Sequence, residues 1–144
     1  MIKANDLRIG NVFMRPVGTF VLVDSINKNG FQYLDIDDKS GAGGWHSFHD
    51  GTYLRPIPLS LEILEKCGFE NVSYSNPVTS QWRLKTAVHF TVGFCESDYG
   101  PLRQSCYFSY KEIEGKKYGR YFRHLHDLQN IYSELTGTEL NIIL

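Results

Sequence analysis

The most regular spacing of apolar residues lies near the carboxyl end. Tyr121, Leu125, Leu128, Tyr132 and Leu135 recur at steps of four and three, which places them on one face of a helix. Phe122 and Ile131 widen that stripe to the breadth of a core-facing surface. The pattern predicts a helix over Phe122 to Leu135, stopped by Gly137 as a left-handed C-cap residue. Glu139 to Leu144 then reads as a short apolar strand. Upstream the period falls from 3.6 to 2. Val88, Phe90, Val92 and Phe94 alternate with His89, Thr91 and Gly93, the signature of a half-buried strand. Gln81 to Lys85, centred on Trp82 and Leu84, predicts another. Ser105 to Ile113 and Lys116 to Tyr121 form an expected hairpin around Glu114-Gly115.

The first 59 residues carry short strands and turns only. Val12 to Arg15, Thr19 to Ile26, Phe31 to Ile36, Trp45 to Phe48 and Thr52 to Arg55 are the expected strands. Asn27-Lys28-Asn29-Gly30 holds the Asn-Gly hairpin signal. Asp37 to Gly44 contains three glycines and reads as a mobile loop. Five short strands with tight turns suggest an SH3-like small β-barrel module. Pro56 and Pro58 lack the N–H that a central strand needs, so Pro56 to Leu59 reads as a connector. Ser60 then caps a short helix, Leu61 to Lys66, whose expected core face is Leu61, Leu64 and Cys67. Gly68 closes it. The predicted class is α+β: residues 1–59 as the barrel-like module, and residues 60–144 as a helix, an antiparallel meander, a packed C-terminal helix and a terminal strand. The two parts are expected to dock as one compact unit.

Composition adds bounds. In 144 residues, 42% are hydrophobic and 14% aromatic, too rich in core formers for a disordered chain. The formal net charge of −1 gives no overall field for drawing in nucleic acid. Three cysteines, Cys67, Cys95 and Cys106, lack short metal-type spacing. No basic start precedes an apolar run, and no window suits a membrane span. A cytoplasmic protein with free thiols and no cofactor is expected.

Candidate chemistry is sparse. His46 and His49 follow the glycine-rich loop three residues apart, a spacing that could hold a metal on a helix or turn, with Asp50 as a third ligand or its support, but not on a strand, where side chains alternate; a metal-binding protein or small enzyme using them is the remote alternative. His124 and His126, two apart on the expected helix, do not share a face and cannot chelate together. His126, Gln129, Asn130 and Ser133 do share one, either as a solvated helix back or as a hydrogen-bonding strip for a partner backbone or the adjacent sheet. A thiolate–imidazole pair, Cys67 with His89 or Cys106 with His124, has no local support. Lys116, Lys117, Tyr118, Arg120 and Arg123 interleave cations with aromatics, a combination suited to single-stranded nucleic acid and equally to a plain hairpin strand. No nucleophile elbow, phosphate loop or zinc-protease motif is present.

Three segments together resemble a known family. They are Arg8-Ile9-Gly10-Asn11, Pro56-Ile57-Pro58-Leu59 running into Lys66-Cys67-Gly68-Phe69, and His126-Asp127-Leu128-Gln129-Asn130-Ile131-Tyr132 ending on Leu135-Thr136-Gly137. Their order is similar to that in short proteins of Bacteroidales genomes, prophages and phages. The resemblance implies a phage or mobile-element context and no activity. With no converging acid, base or nucleophile, the expected function is a non-enzymatic module acting through protein–protein contact. Trp45, His126, Gln129 and Asn130 are its candidate partner-binding residues.

Overall fold

A computed structural model describes residues 2, 4–38, 40–48, 54–72, 79–96, 104–113, 116–118 and 121–144, with the side chains of 4, 79, 87–89, 94–96, 104–113, 116–118 and 121 left out. In chain order the strands are β1 (Val12–Met14), β2 (Phe20–Asn27), β3 (Gly30–Asp35), β4 (Gly43–Ser47) and β5 (Arg55–Pro56). Helix α1 (Leu61–Lys66) follows, then β6 (Phe69–Asn71), β7 (Thr79–Leu84), β8 (Ala87–Glu96), β9 (Gln104–Ile113), β10 (Lys116–Tyr118), β11 (Tyr121–Phe122) and helix α2 (Leu125–Thr136). The class is α+β, mostly antiparallel sheet. No helix among the described residues is long and apolar enough to cross a membrane. Two compact units share the chain: Met1–Pro58 with His124–Glu139, and Leu59–Arg123 with Leu140–Leu144.

In the first unit, a curled sheet runs β4-β3-β2-β1-β5. Its register slips between Val23 and Ser25 on β2, an irregularity of the kind that bends a strand. Phe13, Val21, Val23 and Phe31 are fully buried on its inner face and join Ile2, Leu7 and Leu54 in one core. The β2–β3 hairpin forms as expected, but Asn27 pairs with Gly30, so Lys28 and Asn29 make the turn. Gly30 is needed for another reason. A Cβ there would collide with the backbone carbonyl of His46 across the β3–β4 pair. Gly43 and Gly44, expected in a loop, begin β4 instead. The Tyr33 ring lies over Gly44 where a side chain would sit, replacing the missing packing on a glycine strand. Pro56 lies in β5 at the sheet's edge, where its missing N–H costs no ladder bond.

The second unit holds a sheet ordered β10-β9-β8-β7-β6, with β11 also paired to β9. Phe90 and Val92 are buried, and Phe69 meets Phe90 edge-on with ring centroids 6.0 Å apart. The β9–β10 hairpin pairs Lys116 with Ile113; Glu114 and Gly115 lie outside the described residues. Ser60 caps α1 by accepting from the Ile63 N–H, and Gly68 follows at φ +84°. The buried face is Ile63, Leu64 and Cys67, while Leu61 at the first helical position is exposed.

Three further expectations need correction. Helix α2 begins at Leu125, because Tyr121–Phe122 pairs with β9 and His124 bridges to Pro58 in extended form. It belongs with the first sheet rather than the second, held there by side-chain bonds described below. Residues 139–144 are not a strand; Leu140 is buried and the Ile143 N–H donates to the Lys66 carbonyl. The Gly137 cap stands as expected, at φ +71°, with its N–H donating to the Ser133 carbonyl.

Candidate functional site

Three residues of β1 and the turn before it set what α2 can do. Val12 begins β1, and its N–H points at α2. Gln129 answers with both ends of its amide: Oε1 accepts from the Val12 N–H at 2.9 Å, and Nε2 donates to the Gly10 carbonyl at 2.8 Å. The amide thus fills the place of a neighbouring strand's peptide group. Asn130 extends the grip. Its Oδ1 accepts from Asn11 Nδ2 and its Nδ2 donates to the Asp6 carbonyl, both at 2.9 Å. Asn11, buried, accepts the Arg8 N–H at 2.7 Å. Arg8 pairs with Glu139 at 2.8 Å just past the helix. Arg8, Gly10, Asn11, Gln129 and Asn130, read from two distant motifs, therefore form one polar network. The strip engages the adjacent sheet of its own unit. Gln129 is only 2% exposed and is no solvated helix back.

The same helix gathers a titratable cluster at its start. His124 is the N-cap, at φ −123° and ψ 154°, and not a helical residue. Helical spacing therefore does not separate it from His126. The two rings stack with centroids 5.5 Å apart, which corrects the expectation that they lie on different faces. Asp127 lies 3.4 Å from His124 Nδ1 and 3.7 Å from His126 Nε2. One ligand atom from each of the three residues falls within 4.8 Å of the other two. Burial works to raise the Asp127 carboxyl, but hydrogen bonds from His124 and the adjacent imidazoles hold it below the ordinary carboxylate range. His126 packs on Phe13 with centroids 5.0 Å apart, and burial pushes its imidazole below its usual value. Its Nδ1 is buried with no hydrogen-bond partner.

The other expected residues are dispersed. His46 sits in β4 against Phe31, centroids 4.9 Å apart, with its pKa lowered by burial. His49 lies outside the described residues, and β4 alternation already turns His46 inward. Trp45 faces the other way, 47% exposed, opposite Gln32 and one pair from Leu34 on the same face. Strand β4 ends the sheet order, so one of its edges has no strand beside it among the described residues. Lys116, Lys117 and Tyr118 have their backbone in β10, their side chains and Arg120 lying outside the described residues; Arg123 is exposed. Cys67 is buried and burial pushes its thiol up to about 12, far from a reactive thiolate. The side chains of His89 and Cys106, its and His124's suggested partners, are not described.

Comparisons of the chain with protein-family models, with curated proteins and with solved structures return no match.

The sequence reading gave Asp127 no role of its own beyond its place in the motif. The signal was present in His124-Leu125-His126-Asp127, but a helix begun three residues too early set the two imidazoles on different faces.

Proposed function

We propose that this protein is a non-enzymatic binding module that works through protein–protein contact, and that β4 with Trp45 forms its contact surface. The observation that carries the reading is the 47% exposure of Trp45 on an edge strand. An indole is costly to leave in water and is among the side chains that anchor interfaces. Leu34, 36% exposed, extends the apolar area because its cross-strand neighbour is Gly43. The strand edge offers backbone donors and acceptors to an added strand.

An SH3-like connectivity fits the first sheet, since β1 pairs with both β2 and β5 and the remaining strands follow as a meander. The motif resemblance favours a phage or mobile-element setting, and the free thiol of Cys67 fits a cytoplasmic one. Affinity capture with wild type and Trp45→Ala tests the surface. Proteins retained by wild type should be lost from the variant at unchanged thermal stability. Equal capture by both would remove β4 as the contact surface. Recovery of single-stranded nucleic acid alone, released by added salt, would favour the basic segment 116–123 instead.

A further inference from the structure

We propose that His124, His126 and Asp127 form a binding site for a divalent zinc-class cation at the start of α2. Tetrahedral zinc, with bonds of about 2.0–2.2 Å, spaces its ligands about 3.4 Å apart. His124 Nδ1 stands 3.4 Å from Asp127 Oδ2, and His126 Nε2 stands 3.7 Å from Oδ1 of the same carboxylate, so each imidazole faces one of its two oxygens. The widest separation in the cluster is no more than 4.8 Å. His124, whose side chain is 38% exposed and lies outside the helix, is free to turn its ring and close that gap.

His126 supplies the second, independent observation. It is 6% exposed, its Nδ1 is buried without a hydrogen-bond partner, and its Nε2 stands 3.7 Å from Asp127 Oδ1. Leaving such a group unsatisfied is unfavourable, because its lost hydration is not repaid. A metal bond at Nε2 would fix the ring proton on Nδ1 and so set the tautomer of this imidazole. Two imidazoles and a carboxylate select a borderline cation over magnesium or calcium, which prefer oxygen ligands. The positive end of α2 opposes any cation there, and the ionised Asp127 in the first turn counters it. The alternative role for Asp127 is purely structural, as the third helical residue reaching back to the N-cap.

Zinc chloride titrated into the chelator-stripped protein, followed by calorimetry, tests the assignment. Wild type should bind one ion per chain. His124→Ala and Asp127→Asn should each weaken it by at least about tenfold, a loss of at least about 1.4 kcal/mol. Neither change opens a core, so matching far-UV spectra and metal-free melting curves establish that the variants are folded. Zinc bound by the cysteines would be indifferent to both substitutions. No stoichiometric binding by wild type, or equal affinity in the folded variants, overturns the site. Loss in the first variant and not in the second reduces Asp127 to its capping role and overturns it as a three-ligand site.

Discussion

The side-chain amide of Gln129 stands in for one peptide of a neighbouring strand. Val12 donates to it and Gly10 accepts from it, so a buried N–H at the start of β1 depends on a residue 117 positions away. Replacing Gln129 by Ala leaves that donor without a partner and opens space beside it. A loss of about 1–3 kcal/mol in unfolding free energy is expected, read as a lower urea midpoint at unchanged slope. Asn130 sits half-buried beside it with one bond to a side chain and one to the Asp6 carbonyl. Its replacement should cost less, because water can reach the groups it leaves behind. A Gln129→Ala protein as stable as wild type would show that the amide is surface decoration. Its burial at 2% exposure speaks against that.

Among the elements, β4 is the one that side-chain patterning describes least well. Two of its five residues are glycines, and it is held by a close approach to β3 instead of by paired side chains. Gly30→Ala places a methyl group against the backbone carbonyl of His46, which cannot swing aside. Gly44→Ala meets only the Tyr33 ring, the movable end of a side chain. The first substitution should destabilise by about 1–3 kcal/mol and the second by less; paired chemical denaturation curves give the order. These same elements mark what the sequence made legible. The Asn27–Gly30 hairpin, the Ser60 cap and the Gly137 stop were readable because each signal lies within a few residues of its effect. The strand role of Gly43 and Gly44 was not, because it is written in Tyr33 on another strand. The start of α2 was misplaced for a similar reason. Tyr121 and Phe122 continue the helical spacing, but pairing with β9 draws them into an extended form. That three-residue shift decides whether His124 and His126 are strangers or neighbours.

At the scale of the whole molecule, the chain visits its first unit twice. Residues 1–58 supply all five strands of the curled sheet, and residues 124–139 supply its helix. Leu125 and Leu128 are fully buried in that returning segment. A fragment of residues 1–58 therefore lacks both a share of its apolar contacts and the partners of Gly10, Asn11 and Val12. It should lack dispersed amide resonances in an NMR spectrum when alone, and gain them when a peptide of residues 124–139 is added. A fragment that folds unaided would show that α2 is accessory to the sheet.

The split of the first unit across the chain has a consequence for its birth. Domains ordinarily fold as they leave the ribosome, the amino-terminal one first. Here the opening strands emerge long before the helix that satisfies Val12, and they must wait through the synthesis of the entire second sheet. At about 5–20 residues per second the interval is on the order of several seconds. During it, Phe13 and its neighbours lack their covering helix, so the later-translated α2 governs when the earlier strands are safe from aggregation.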